Sequence, residues 1–196
     1  MDRSQEIIRT SWIGIVANVL LAGFKAAVGI LASSVAISED FAKQIQKEVA
    51  DFEGVHGVFD LILHNYGPDV KIGSLHINVY DTMTAHEIHG LTRRISTQMY
   101  VKHGIIMTVG VYAIATGDNK RAELQATVTQ TLAAHKDIVQ VHGFYYSEKR
   151  KYLSVDVVPD ISVHDEAAFI SQLTSELQPL VPDQQVVVVV DHNYSE

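Results

Sequence analysis

Ten histidines and no cysteine among 196 residues bound the metal chemistry open to this chain. With imidazole and carboxylate as the good ligands present, a metal site here is an N/O site suited to zinc, manganese, iron or cobalt. The lack of cysteine also excludes disulfides and fits a reducing compartment. His76 stands between Leu75 and Ile77, so period-2 alternation puts it on one strand face with Ser74 and Asn78. His86 and His89 are three apart in a helical pattern and share a helix face. His56, His64, His86, His103, His135 and His164 are assigned to solvent or turns, with His86 as a reserve ligand. Catalysis has no constellation to stand on. There is no nucleophile elbow, no G-x-x-x-x-G-K phosphate loop and no H-E-x-x-H, and Glu87-Ile88-His89 is helix-surface chemistry, so no enzyme is expected. A formal charge of -8 with no clustering of Lys and Arg gives no nucleic-acid surface.

The elements that must position these residues can be read from the pattern. Gly54 and Gly57 open a turn into a strand over Val58–Leu63, and Gly67-Pro68 closes it. A short amphipathic helix over 40–52 carries Phe41, Ile45, Val49 and Phe52 at helical spacing. A strand over 70–80 follows, then Thr84-x-x-Glu87 as a capping box for a helix reaching about Tyr100, then a strand over 105–112. About 83 residues beyond the first strand the pattern returns in Gln140-Val141-His142-Gly143-Phe144, with Val58-Phe59 aligning with Val141-His142. The second unit is expected as a helix over 122–134, a hairpin of strands 139–146 and 152–158, a covering helix over 163–177 and a last strand over 186–190. In this register S-V-D-V lies on S-L-H-I, which puts Asp156 in the place of His76.

Residues 11–37 are apolar on all sides apart from Asn18, Lys25 and glycines, long enough to cross a hydrocarbon layer of about 30 Å, with Trp12 as an interfacial anchor. The alternative is a buried core helix, for which Lys25 speaks, since a lysine in mid-span needs a bundle around it.

The stretch S-W-I-G-I-V-A-N-V-L-L-A-G-F-K-A-A-V-G-I-L-A-S-S-V-A-I resembles the first transmembrane helix of the cation diffusion facilitator (cation efflux) family. G-V-H-G-V-F-D-L-I-L-H-N-Y-G-P, S-L-H-I-N-V and A-H-E-I-H-G-L resemble that family's cytoplasmic C-terminal domain. The resemblance implies an α+β chain: an N-terminal transmembrane-type helix (1–38), then two tandem ferredoxin-like αββαβ domains (39–113 and 114–196). It also implies a member without the transport-site helices, because Ile37 runs straight into Ser38-Glu39-Asp40. Such a chain is expected to sense metal or to dimerise rather than to move ions. Its partners would be the membrane, divalent cations, and a second copy or a full-length transporter of the family. The tandem domains would lie on the cytoplasmic side of the cell membrane. The competing readings are a regulatory subunit acting on a partner transporter and a tandem small-molecule-sensing module.

Carried over position by position, the family's regulatory ligands imply His76 on the second strand and His89 on the covering helix. Phe59 replaces the first-strand histidine, and the last-strand positions near Val109 and Val111 cannot ligate. In the second unit the implied set is His142, Asp156 and the Asp191-His192 end. The implied cofactor is a divalent ion, zinc before manganese or iron, with a satisfied polar pair as the alternative.

Overall fold

A computed structural model describes residues 3–33, 38–66, 71–117 and 119–191. The chain is mixed α+β, with an N-terminal apolar helix and two three-stranded sheets. It divides into two compact units, residues 1–37 and residues 38–196.

The first unit holds helix α1, Arg3–Ser33. Its Ser11–Val28 window has a mean hydropathy of 1.6 and none of it is buried, which makes it the one described helix long and apolar enough to cross a membrane.

The second unit begins with α2, Glu39–Ala50, whose N-terminus is capped by Ser38: the hydroxyl accepts from the Phe41 N–H at 3.2 Å. Strands β1 (Gly57–Asn65) and β2 (Lys71–Tyr80) follow, then α3 (Ala85–His103) and β3 (Ile105–Ile114). Thr84 and Glu87 form the reciprocal capping box that their spacing predicts, and Gly104 ends α3 at φ 67, where a Cβ would be strained. The remainder is α4 (Lys120–Ala133), β4 (Ile138–Ser147), β5 (Tyr152–Pro159), α5 (Glu166–Leu177), a 3-10 turn over Gln178–Leu180, and β6 (Gln185–Val190). The sheet orders are β1-β2-β3 and β4-β5-β6, each with an antiparallel first pair and a parallel second pair. A parallel pair needs a crossover, and α3 and α5 provide it.

Alternation then decides which face is covered. Leu75, Ile77 and Val79 of β2 are buried against Ile45 and Val49 of α2 and Leu91, Ile95 and Met99 of α3. In the second half Leu153, Val155 and Val157 meet Val128 and Leu132 of α4 and Phe169, Leu173 and Leu177 of α5. Each large aliphatic side chain buried this way contributes about 1.5–3 kcal/mol. Both helices of each half therefore sit on one face of its sheet. Ser74, His76 and Asn78, and likewise Ser154 and Asp156, point to the other face.

Register is interrupted at three places, once between Ile138 and Gln140 and twice at positions that match between the sheets. β1 loses register with β2 between Phe59 and Ile62, and β4 with β5 between His142 and Tyr145. In each of these two matching bulges the first residue has positive φ: Asp60 at 54° and Gly143 at 64°. Bulges re-aim side chains next to functional sites. Strict alternation over Val58–Leu63 does not foresee them.

His103 also departs from its solvent assignment. At the last turn of α3 it is nearly buried, its Nε2 2.9 Å from Glu48 Oε2, while Lys102 reaches Glu48 Oε1 at 2.9 Å. The hydrogen bond from His103, then that from Lys102, holds the Glu48 carboxyl down at about 2. A carboxyl depressed by folding stabilises the fold above the usual carboxylate range and loses that contribution as the pH falls through its folded value. Glu48→Gln is expected to melt below the wild type at neutral pH. The gap in melting temperature should close as the pH approaches about 2; a gap constant with pH would show that the pair does not couple α2 to α3.

Candidate metal centre

The helix-free faces of the two sheets contribute a shared cluster. Register places Phe59 opposite His76 and His142 opposite Asp156, and continues from His76 to Gly110 and from Asp156 to Val189. Phe59 and His142 thus hold corresponding positions, and across the join their rings stack at 5.1 Å and 16°. Asp60 and Gly143 correspond as bulge residues, His76 and Asp156 on the middle strands, and Tyr112 near the end of β3 corresponds to Asp191 just past the end of β6.

Asp60 sits at the centre. Its Oδ1 lies 2.8 Å from His142 Nε2, and its Oδ2 lies 2.8 Å from His76 Nδ1 and accepts from the Tyr112 hydroxyl at 2.8 Å. The Tyr112 hydroxyl is also 3.0 Å from Asp156 Oδ2, and His142 Nε2 is 3.6 Å from Asp191 Oδ2. Asp60, His142 and Asp191 each offer a ligand atom within 4.8 Å of the others, a grouping that no other His, Asp or Glu among the described residues makes. His142 is only 5% exposed.

Distance and direction disagree at the imidazoles. Nε2 of His142 and Nδ1 of His76 are within 2.8 Å of Asp60, yet neither approach is aligned as a hydrogen bond, and Nδ1 of His142 has no partner either. Hydrogen bonds weaken steeply with misalignment, so these close approaches leave the buried ring nitrogens without the partner that buried polar groups normally have. Buried polar groups without aligned partners cost about 1–3 kcal/mol each, which an ion would offset.

The charges respond to this crowding. Burial pushes the Asp60 carboxyl up, but His142 and His76, a hydrogen bond shared with Asp191, and the Tyr112 hydroxyl outweigh it and hold it well below the usual range. Burial pulls His142 down, and the adjoining Asp60 with the charges of Asp156 and Asp191 reverses that, leaving it raised. Asp156 is raised by burial first and then by the Asp60 and Asp191 charges, against the opposing pull of Tyr112 and His142. Burial, then Asp60, raises the Tyr112 phenol.

Two glycines make room. A Cβ on Gly143 would collide with the Asp156 carboxylate, and one on Gly110 with the His76 ring, which stacks on Tyr112 at 4.4 Å and 18°. A cleft of about 380 Å³ lined by Tyr112, Gly143, Ser154 and Asp156 leads to the cluster.

Of the ligands that the family resemblance implies, the structure brings together His76, His142, Asp156 and Asp191. His89 is exposed on α3 and is not among the residues that meet at Asp60. His192 lies outside the described residues. The implied sets stood one in each half, whereas the observed donors come from both, with Asp60 of the first sheet the nearest partner of His142 in the second. Asp60 and Tyr112 were missed. The available signal was an aspartate inside the apolar run V-F-D-L-I, aligned on the glycine of V-H-G-F.

Residues 37–111 match the family described as the cytoplasmic domain of cation efflux proteins. No individual curated protein matches the chain. The match spans α2, α3 and most of the first sheet, so that this part of the chain is similar to a cation efflux cytoplasmic domain, which supports a relationship to the cation efflux family.

Proposed function

We propose that residues 38–196 are a metal-sensing module of a cation efflux system, built from two ferredoxin-like domains that share one cation site on their helix-free faces. The observation that carries this is the convergence of Asp60, His142 and Asp191 around a buried imidazole without aligned partners. The family match adds that such domains serve cation efflux proteins. The α1 helix would tether the module to the cell membrane on its cytoplasmic side, with a full-length transporter or a second copy as partner. The module would act by binding, not by catalysis. Ligation would tie β1 and β3 of one sheet to β4 and β6 of the other, so that cation binding stabilises one arrangement of the halves by mass action.

Calorimetric titration of the detergent-solubilised chain with zinc, manganese and ferrous iron tests this. Binding is expected with about one cation per chain and about tenfold or more weakening in His142→Ala, with His89→Ala unchanged. Absence of binding by the wild type, or equal affinity in His142→Ala, would sink the reading.

A further inference from the structure

We propose that the outer edge of β6 pairs antiparallel with β6 of a second copy of this chain, about a twofold axis at Val188, so that two three-stranded sheets become one of six strands. This goes beyond the cation reading and does not depend on it.

The two sheets leave four edges, β1 and β3 in one and β4 and β6 in the other. An open edge is a row of unpaired N–H and C=O groups, and proteins guard such rows with bulges, charges, prolines or covering segments. β1 and β4 carry bulges. The end of β3 lies beside β4, where Tyr112 and Ala113 line the same cleft as Gly143 and Tyr145. Among the described residues β6 has none of these guards. It reads Gln-Val-Val-Val-Val-Val, without charge, glycine or proline, and its register with β5 runs unbroken. No described strand pairs with its other side. Val189, an apolar β-branched side chain, is left 44% exposed.

The ladder fixes the register. Gln185 and Asp191 donate their backbone N–H groups to the Lys151 and Val157 carbonyls at 2.9 Å. A strand turns every second residue toward a given neighbour, so residues 185, 187, 189 and 191 bond to β5, while the N–H and C=O groups of Val186, Val188 and Val190 point out of the sheet. An antiparallel copy centred on Val188 sets Val186 opposite Val190 and Val188 opposite itself, and each such pair exchanges both bonds. All three outward residues are then satisfied on both strands; any shift along the strand leaves at least one without a partner. The side chains agree with this register. Val187 stands opposite Val189 of the second copy in a non-hydrogen-bonded pair, where side chains approach most closely, and the exposed Val189 is covered. Gln185 faces Asp191 of the second copy, so no like charges meet. The contact is self-complementary and consumes the edge that makes it, so it closes at two copies. Six residues make a small interface, and a bilayer that holds both copies through α1 would raise their effective concentration.

Because the chain has no cysteine, introduced ones report the register directly. In the concentrated full chain in detergent, Val187→Cys mixed with Val189→Cys is expected to give a disulfide-linked dimer on mild oxidation, since the paired Cα atoms come within about 4.5 Å. Neither variant alone should link, because its two cysteines stand diagonally, about 7–8 Å apart and beyond disulfide reach. In the wild type, the amide protons of Val186, Val188 and Val190 are expected to exchange slowly in concentrated solution and about tenfold or more faster once the dimer is diluted apart. No linked dimer from the mixture, linking of either variant alone to the same extent, or fast exchange of these amides at every concentration overturns the pairing and leaves the cation site standing.

Discussion

Asp60→Asn will weaken cation binding by about 100-fold or more, which is ~2.7 kcal/mol, and leave the fold intact. The two side chains have the same shape, and asparagine tolerates the left-handed backbone that Asp60 holds at φ 54. What changes is charge and donor capacity. The carboxylate presents one oxygen to His142 and the other to His76 and Tyr112, so it reaches every side of the cluster. An amide offers one neutral oxygen, and its NH2 group would face an imidazole or a phenol. Competition against a chelator of known affinity gives the number. Wild-type affinity in Asp60→Asn would remove Asp60 from the ligand set and return His142 to an ordinary buried pair with Asp191.

Leu75→Ala will cost about 2–5 kcal/mol of stability. Leu75 is 1% exposed and sits on the covered face of β2, among Ile45, Leu91 and Ile95, where the cavity cannot fill with water or collapse easily. Against a total of about 5–15 kcal/mol for a domain, this is a large fraction. Ser74→Ala, next to it on the opposite face, should stay within about 0.5 kcal/mol. Urea denaturation of both variants separates them. Similar midpoints would mean that the burial alternation of β2 does not carry the stability of the first half.

Much of this architecture could be read from the chain because local rules and tertiary demands agree. Thr84 and Glu87 cap a helix whose stripe of Leu91, Ile95 and Met99 has a sheet to cover, and S-L-H and S-V-D fall in matching register because the same face of each middle strand is buried. His76, His142, Asp156 and Asp191 follow from that register together with the family resemblance. Asp60 and Tyr112 do not, for different reasons. The position of Asp60 depends on a bulge, and a bulge changes which way a side chain points without changing the hydrophobic spacing around it. Tyr112 acts on Asp156 across the join between the sheets, a neighbour 44 residues away that no periodicity relates to it. The resemblance put the last-strand positions near Val109 and Val111, which cannot ligate, but register sets His76 against Gly110, and the side chain that reaches Asp60 and Asp156 follows two positions later.

Asp60 and Gly143 hold the same bulge position in their two sheets, one with a carboxylate and one with no side chain. An assembly of two identical chains has to place the same residue on both sides of its axis, so an anion there would meet its own copy and a glycine would leave the centre empty. With both halves in a single chain, mutation can act on each alone. One side can supply the central charge while the other gives up its volume, and a single off-axis centre becomes reachable that no self-paired subunit could encode.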